Sequence, residues 1–387
     1  MTVVLSRDEA RRHLLRQARL LRPARARGDR GIRRTLEALR CVQLDPLDPM
    51  GTNADLVMMA RVDGVKRGDV YRALLPGHAF EHFAKERCLL PARAFPQYRG
   101  QAVQTPWWRL TERQKRVPAG VLEAVHAEVA AAGPATAAQL RDHGAVEPLD
   151  WHGWTGTSRM TTIALEILWT RCRVVVAGRA PDGSKIYDLP ARALPRWHDA
   201  PPEPFARWAL LERVEAAGLL ARASGPWWSM LRGERTSSLP DAAVAEGRLE
   251  EVRVEGSRRA YLAPAGVRER IGRATPDDRL RVLGPLDPLL WDRALVRHVF
   301  GFEYVWEVYK PASKRRWGWY VCPLLHRGRL VGRLEAKVEG RALVVHRLWP
   351  EPGESLDRAA LDAALARHAE GCGAMRVSWR RAARRAR

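Results

Sequence analysis

The 387-residue sequence predicts an α+β fold, in which tandem winged helix-turn-helix units precede a small C-terminal antiparallel β-barrel or sheet. Two observations predict the tandem units, because helical stretches are twice followed by a short alternating hairpin. A third observation, a change to β-rich sequence beyond Pro276, predicts the sheet. The length allows several domains of roughly 100–200 residues, and changes in pattern divide the chain into units at 1–117, 118–200, 201–275 and 276–387.

The N-terminal unit opens with two predicted helices of basic character. Ser6-Arg7-Asp8-Glu9 has the pattern of a capping box, in which a hydroxyl and a carboxylate satisfy the first free amides of a helix. Apolar residues at helical spacing predict a second helix that ends near Leu39. Residues 1–40 contain twelve Arg against four acidic residues, which favours a polyanion contact over a merely solvated face. Residues 53–100 are predicted to be mostly helical.

The two middle units repeat one predicted order of helix, turn, helix and hairpin. In the second unit, a helix from about Arg159 to Arg171 precedes strands at 174–177 and 185–187. In the third unit, an alternating strand at 251–256 is expected to pair with 260–262. This order is that of a winged helix-turn-helix.

The C-terminal unit combines strands with one helix and a tail. Its predicted β-rich runs are Phe302–Val308, Trp317–Cys322, Arg329–Lys337 and Arg341–Leu348. An amphipathic helix is predicted for Leu356–His368. The last twelve residues carry six Arg and no acidic residue, and they are predicted to form a basic tail.

The charge of the chain indicates a polyanionic partner. Sixty-six Lys and Arg oppose 44 Asp and Glu, for a net charge of +22. Only seven of the basic residues are Lys, and Arg makes planar bidentate contacts with phosphates and guanine edges that Lys does not reproduce. A GC-rich genome also explains the choice of Arg, but it does not explain the excess of positive charge. We therefore expect double-stranded DNA as the partner.

Other classes of protein are disfavoured by what the sequence lacks. The five Cys are scattered without a C-x-x-C pair, which argues against a zinc site and a disulfide framework. We expect no metal and no cofactor. No long apolar run suggests a signal peptide or a membrane span. The expected location is the cytoplasm, in association with the nucleoid.

The most informative motif is Gln43-Leu44-Asp45-Pro46. Pro46 disfavours the helical basin for Asp45, and alternate residues of an extended segment project to the same side. Gln43 and Asp45 are therefore expected to share one space, where an amide orients water and a carboxylate activates it or stabilises a nearby cation. The structural alternative is that Asp45 caps the next element, and Asp48-Pro49 repeats that pattern.

Four further residues are candidates for DNA binding. Arg159 opens the predicted second recognition helix, and the others lie at a predicted hairpin tip, namely His326, Arg327 and Arg329. The alternatives are a surface Arg on a basic protein and a solvated turn. A second carboxylate pair, Asp287 and Asp292, is interpreted as structural.

The order of several blocks resembles the YcaQ/AlkZ family of bacterial DNA glycosylases. Gln43-Leu44-Asp45 is similar to the family's Q-apolar-Q/D motif. The other similar blocks are Glu81–Pro91, Trp154–Pro195, Pro285–Arg293 and Phe302–Tyr320. Together they cover nearly the whole chain, in order.

The resemblance implies tandem winged helices with a C-terminal β-barrel, and excision of N7-alkylated guanine, including interstrand crosslinks. It carries the catalytic roles over to Gln43 and Asp45. The chain also departs from the family pattern, since a family Arg and His fall on Thr52 and Ala54, and a second family His falls on Lys85. These departures are compatible with a different lesion, with a weaker activity, or with a subfamily that has kept DNA binding and changed its chemistry.

Two other functions compete with a glycosylase. The first is a non-enzymatic winged-helix DNA-binding protein or transcriptional regulator, since fold does not fix function. The second is an RNA-binding factor, which fits the charge but none of the blocks. A glycosylase predicts that Gln43 and Asp45 face a basic concavity, and that a monomer suffices. A regulator predicts that Asp45 turns to a backbone amide and that a symmetric dimer surface is present.

Overall fold

The computed structural model describes residues 2–101, 108–146 and 158–380. Trp154, which opens one of the similar blocks, and the last seven residues of the predicted tail lie outside that range. Among the described residues, no helix has the length and hydropathy that a membrane span requires.

The described residues form both helices and strands, as an α+β fold requires. The helices are α1 (Arg7–Gln17), α2 (Gly28–Leu39), α3 (Asn53–Met59), α4 (Asp69–Leu74), α5 (Phe95–Gln101), α6 (Trp108–Arg116), α7 (Val121–Ala132), α8 (Met160–Thr170), α9 (Pro190–Ala193), α10 (Phe205–Ala217), α11 (Leu239–Ala245), α12 (Val267–Ile271), α13 (Arg293–Phe300) and α14 (Arg358–Gly371). The strands are β1 (Val3–Leu5), β2 (Val42–Gln43), β3 (Ala79–Phe83), β4 (Arg87–Pro91), β5 (Ala135–Thr136), β6 (Ala145–Val146), β7 (Ser158–Arg159), β8 (Val175–Arg179), β9 (Lys185–Asp188), β10 (Leu220–Ala221), β11 (Leu249–Val254), β12 (Ala260–Pro264), β13 (Arg281–Val282), β14 (Val321–His326), β15 (Arg329–Glu339), β16 (Ala342–Pro350) and β17 (Arg376–Trp379).

The chain divides into two compact units. The first combines residues 1–70 with 210–387, and the second contains residues 71–209. In the first unit the two ends of the chain therefore fold together.

A four-stranded sheet in the first unit joins the N-terminus to the third predicted unit. Its strand order is β1-β11-β12-β10, and β1 runs parallel to β11. The predicted hairpin is confirmed, because β11 and β12 pair antiparallel with Val252 opposite Tyr261. The predicted capping box is also confirmed, since Ser6 accepts from the Glu9 amide and the Glu9 carboxylate accepts from the Ser6 amide.

The second sheet of this unit has five strands in the order β13-β14-β15-β16-β17. The meander from β13 to β16 is antiparallel, and register shifts at Leu324/Leu325 and Glu335/Ala336 curl it into a half-barrel. The prediction of an antiparallel sheet is wrong at the edge, where β17 runs parallel to β16. Residues 376–379 are that edge strand, so this part of the predicted tail is structured.

One predicted strand in this unit is wrong. Phe302–Val308 forms no strand, although Phe302 and Tyr304 are both buried, as alternate residues on the inner face of a strand are. The reason is Glu307, whose buried carboxylate accepts the amides of Arg316 and Trp317 and so holds the segment as a loop. The next strand begins at Val321, later than the predicted Trp317.

The second unit contains a hairpin where helix was predicted. Strands β3 and β4 pair antiparallel, so the mostly helical prediction for 53–100 is wrong at 79–91. These strands are buried on both faces and therefore lack the alternation that marks a strand in sequence. Polar His82 is accommodated because its Nε2 contacts the Thr170 carbonyl oxygen at 3.1 Å. Elsewhere in the unit, α8 and the β8–β9 hairpin occur close to their predicted positions.

Candidate active site

The motif residues lie where β2 ends and a loop begins. Gln43 is the last residue of β2 and is 6% exposed, whereas Asp45 lies two residues further on and is partly exposed. Solvent therefore reaches the Asp45 carboxylate, whereas the Gln43 side chain is largely enclosed by protein. The loop that follows, residues 45–51, carries both Asp-Pro pairs.

The Asp45 carboxylate closes a turn with one of its two oxygens. Oδ1 accepts from the Leu47 amide at 2.9 Å, while Oδ2 makes no hydrogen bond to any residue that the structure describes. Burial raises the pKa of Asp45, and the Leu47 hydrogen bond opposes that shift. Contact with a backbone amide is what the capping alternative and the regulator alternative both predict, yet it leaves one oxygen available for chemistry.

Asp48 repeats the turn but has a counter-ion. Its Oδ1 accepts from the Gly51 amide at 2.9 Å, and its Oδ2 accepts from Arg67 Nε at 2.8 Å. Asp45 and Asp48 thus each close a turn with Oδ1, but of the two only Asp48 is paired with an Arg among the described residues. Asp48 therefore serves as a matched control for Asp45.

The rest of the loop is fixed by the elements beneath it. The Pro49 carbonyl accepts from the Val338 amide at 2.7 Å, and the Met50 carbonyl accepts from His368 Nε2 at 2.7 Å. Burial lowers the pKa of His368, which keeps the imidazole neutral and able to donate from Nε2. The loop is therefore tied to β15 and α14.

The sheet also brings Tyr320 into electrostatic range of the loop. Burial above all, and then the charges of neighbouring groups that include Asp45 and Asp48, hold the pKa of Tyr320 well above its usual range. Its hydroxyl is buried and makes no hydrogen bond within the described part of the chain. The two carboxylates thus lie within electrostatic range of a neutral phenol.

The two positions at which the family Arg and His were expected have structural roles here. Thr52 is the N-cap of α3, where its hydroxyl accepts from the Asp55 amide in a capping box. Ala54 is fully buried in the first turn of that helix. Lys85, at the third departure, lies in the turn between β3 and β4. Thr52 and Ala54 therefore place no cation beside the motif.

Between Thr52 and Ala54 lies a residue that the sequence analysis missed. Asn53 is fully buried, its Nδ2 donates to the Gln43 carbonyl at 2.8 Å, and its Oδ1 accepts from the Leu286 amide at 3.0 Å. A Cβ at Gly284 would lie 2.6 Å from that Oδ1, so the fit requires glycine. Asn53 thus clamps the motif strand to residues 284–286. The signal in the sequence is that Asn53 is its only asparagine.

Asn53→Ala is expected to destabilise the protein and to loosen the motif. Two buried backbone groups would lose their partners, at about 1–3 kcal/mol each. Chemical denaturation should therefore show a fall of about 2–6 kcal/mol in the free energy of unfolding. Thr52→Ser, which keeps the helix cap, is the control and should stay close to wild type. A change below about 0.5 kcal/mol for Asn53→Ala would contradict this role.

The segment that Asn53 contacts is itself held by a buried ion pair. Arg61 and Asp287 have fully buried side chains, and they form two hydrogen bonds of 2.7 and 2.9 Å. Arg61 also donates to the Ala18 carbonyl, and Asp287 accepts from the Leu289 amide. Asp292 caps α13 and pairs with Arg259. The structural interpretation of Asp287 and Asp292 is thereby confirmed.

Arg159 lies in the second unit, at the N-terminus of α8. Its guanidinium donates to the carbonyls of Ala137 and Leu140, at 3.2 and 3.4 Å, and lies 3.7 Å from an Asp142 carboxylate oxygen. It also lines an open cleft of about 1050 Å³ together with Lys185. The side chain is therefore beside a cleft but already has partners.

The predicted hairpin tip is present between β14 and β15. Arg327 and Gly328 both have positive φ, 47° and 79°, as a two-residue turn of this kind requires. His326 is buried against the Asp278 carbonyl, and Arg327 pairs with the Asp278 carboxylate at 2.7 Å. Arg329 donates from Nε to the Glu354 carboxylate at 2.7 Å. The tip is fixed, with both Arg side chains exposed.

Side chains that could ligate a metal ion are scattered among the described residues. No group of three or more His, Cys, Asp or Glu side chains in those ranges is arranged to hold a metal ion. All five Cys are buried as free thiols.

Comparison with known proteins assigns the chain to a family. A family model described as "DNA glycosylase AlkZ-like" matches residues 36–370, a range that includes the motif loop, Asn53, Arg61 and Asp287. The chain belongs to the AlkZ-like DNA glycosylase family. The resemblance found in the sequence is thus confirmed, and the protein is an enzyme, a DNA repair glycosylase.

A solved structure extends this likeness to the fold. The structure of the Streptomyces sahachiroi DNA glycosylase AlkZ aligns with a TM-score of 0.61 at 20% identity, over 98% of this chain and 100% of that chain. At this identity the match shows a shared fold.

Proposed function

We propose that this AlkZ-like glycosylase hydrolyses the N-glycosidic bond of N7-alkylated guanine in double-stranded DNA, including guanine in interstrand crosslinks. The observation that carries the proposal is the Asp45 carboxylate. It is fixed by one oxygen, its other oxygen makes no hydrogen bond within the described residues, and its pKa is raised. Such a group accepts a proton from water or faces a developing cation.

The lesion explains why one carboxylate suffices. Alkylation at N7 gives guanine a positive charge, so the base leaves as a neutral molecule and takes the electron pair of the C1′–N9 bond. The oxygen of water forms a new bond to C1′, and Asp45 accepts the proton that water loses. The same carboxylate stabilises the oxocarbenium-like sugar as the bond breaks. No acid is needed on the leaving group.

Gln43 is assigned to the water. Its side-chain amide offers both a donor and an acceptor, which is what orienting a nucleophilic water requires. The clamp from Asn53 to the Gln43 carbonyl supports this role, because it fixes the backbone from which the side chain projects. A side chain that orients water contributes to catalysis only if its own position is held, and a fixed backbone helps to hold it.

DNA binding is assigned to the predicted basic residues and to winged-helix units. The order α7, α8, β8 and β9, and the order α11, β11 and β12, support two winged helices within the four-part division at residues 117, 200 and 275. Arg159, His326, Arg327 and Arg329 are proposed to contact the DNA backbone. Phosphate would then compete with Asp278 and Glu354 for the two Arg at the hairpin tip. The proposed enzyme works as a monomer beside the nucleoid.

The proposal is tested by base release from defined lesions. Duplexes that contain one N7-methylguanine, or one nitrogen-mustard crosslink between guanines, are incubated with the protein and then treated with alkali. Strand cleavage at the lesion is expected for both, because alkali cleaves the abasic site that base release leaves. An otherwise identical duplex with unmodified guanine should stay intact. Tight binding without release from either lesion would contradict the proposed substrate.

A further inference from the structure

A loop in the first unit carries the most exposed large hydrophobic residue of the described chain. Tyr309 is 85% exposed, against 69% for Met375 and 38% for Trp379. It opens a run of six consecutive exposed residues, 309–314, which we call the 309–314 tip. An isolated exposed apolar residue is common on protein surfaces, and what distinguishes Tyr309 is the fixed loop that carries it.

The base of the loop is fixed by a buried arginine. Arg333 is 2% exposed, and its guanidinium lies 4.0 Å from the ring centre of Phe302 and 4.2 Å from that of Trp317. It also donates to the Glu303 carbonyl. Residues on both sides of the loop thus stack on one buried cation, which holds its two ends together.

A buried carboxylate fixes the interior of the loop. Glu307 is 2% exposed and accepts from the amides of Arg316 and Trp317, at 3.0 and 2.7 Å, and from Lys310 Nζ at 3.0 Å. Burial favours the neutral acid, but these hydrogen bonds outweigh it and lower the pKa of Glu307. The carboxylate stays ionised at neutral pH, so the loop is ordered before any ligand binds.

The tip itself consists of two successive turns. The Lys310 amide donates to the Glu307 carbonyl at 2.9 Å, and the Lys314 amide donates to the Pro311 carbonyl at 2.9 Å. Tyr309 lies within the first turn, and its ring meets the Trp306 ring edge-on at 5.6 Å between centres. An aromatic ring is thereby held outward on a rigid support, which lowers the entropy lost when it binds.

The charge around the ring is positive. Segment 303–316 contains four basic residues and two acidic ones. Both acidic residues are occupied, because Glu303 pairs with Arg316 and Glu307 with Lys310. The Lys314 ammonium has no hydrogen bond or ion pair with the described residues, and Arg315 uses only Nε, on the Lys310 carbonyl. Two cationic groups therefore remain available, one within the 309–314 tip and one on the residue that follows it.

We propose that the 309–314 tip is a DNA wedge, in which the Tyr309 ring enters the base stack of duplex DNA while Lys314 and Arg315 bind the flanking phosphates. Aromatic rings stack on bases of any sequence, and wedge side chains unstack a base step. The inference rests on the proposed function only for its ligand, duplex DNA. It also gives a guanine tethered in a crosslink a way to expose C1′ without a full flip.

The test uses duplex DNA without a lesion, so it does not depend on base release. Short duplexes carry 2-aminopurine, whose fluorescence rises when it is unstacked, within a central run. Wild-type protein is expected to raise the fluorescence. Tyr309→Ala should abolish the rise and weaken binding about tenfold, in line with the loss of one stacked base. Tyr309→Phe should retain the rise, because the ring and not the hydroxyl stacks. Met375→Ala is the exposed control and should match wild type.

Lys314→Ala separates the phosphate contact from stacking. It should keep the fluorescence rise and reduce the slope of log Kd against log salt by about one. Unfolding curves should show Tyr309→Ala as stable as wild type, since the ring is exposed. An equal rise and equal Kd for Tyr309→Ala and wild type would overturn the wedge. The wedge would also be overturned if wild-type protein bound the duplex without raising the 2-aminopurine fluorescence. A protein that preferred single-stranded DNA and did not raise that fluorescence in the duplex would overturn it as well. Failure of base release alone would leave the wedge standing.

Discussion

Asp45→Asn is expected to slow base release from N7-methylguanine by at least about a hundredfold, which is the usual contribution of a general base. The amide keeps the acceptor that closes the turn with Leu47 but cannot take a proton or oppose a cation. Asp48→Asn, in the neighbouring turn, should retain most of the activity because Asp48 is already paired with Arg67. If both variants lost the same fraction of the rate of base release, the two carboxylates would have a structural role in the loop, and Asp45 would not be a general base.

The expected effect of Asp45→Asn on stability is opposite to its expected effect on activity. The pKa of Asp45 is raised in the folded state, so ionising it there is less favourable than in the unfolded chain. Above that raised pKa the charge therefore destabilises the fold, and below the unfolded pKa the penalty disappears. At neutral pH, Asp45→Asn should be as stable as wild type or more stable, as measured by denaturant unfolding. Lower stability at neutral pH would contradict the burial argument.

The raised pKa also sets the pH profile of catalysis. The base must be ionised to act, so kcat/KM should rise with pH through the Asp45 pKa. Because burial raises that pKa, the midpoint of the acid limb should lie above the usual range of an aspartate. If kcat/KM stayed constant as the pH fell to the usual pKa range of an aspartate, the titration of Asp45 would not control the rate.

The second large effect is expected at the buried ion pair of Arg61 and Asp287. Arg61→Met leaves the Asp287 charge buried without a partner, and such a change destabilises by about 3–5 kcal/mol. Adding Asp287→Asn removes that charge and still offers an oxygen to the Leu289 amide. The double variant should therefore be more stable than Arg61→Met alone. Denaturant unfolding of all four proteins gives the coupling energy.

If the double variant were less stable than Arg61→Met, the unpaired charge of Asp287 would not be the cause of the destabilisation in Arg61→Met.

The ion pair of Arg61 and Asp287 also bears on the active site, because the Asp287 amide donates to the Gly284 carbonyl beside the Asn53 clamp. A destabilised pair should therefore also lower the rate of base release in the fraction that remains folded. Asn53 links that segment to Gln43.

Local patterns in the sequence predicted the features that depend on neighbouring residues. The Ser6 capping box, the β11–β12 hairpin and the turn at Arg327-Gly328 each follow from a few adjacent side chains. The largely buried hairpin at 79–91 lacks such a signal, since the partners of its polar residues lie far along the chain: Glu81 pairs with Arg179, and His82 contacts the Thr170 carbonyl. The 302–308 loop mimics a strand because the carboxylate that bends it acts across ten residues.

The candidate site shows the same limit. Gln43 and Asp45 were found from a local motif and a family resemblance. Asn53 joins segments that are 233 residues apart, and Arg61 meets its partner across 226 residues. β1 pairs with β11 across the length of the unit. No pattern within a window predicts such contacts, because they depend on which surfaces the completed fold brings together.

The most direct test of the proposed chemistry is single-turnover base release from one duplex that contains N7-methylguanine, with protein in excess over DNA. Wild-type protein and Asp48→Asn should release the base at similar rates. Asp45→Asn should bind the duplex with the wild-type Kd and release at least about a hundredfold more slowly. Release at the wild-type rate by Asp45→Asn would contradict the assignment of Asp45 as the group that activates water.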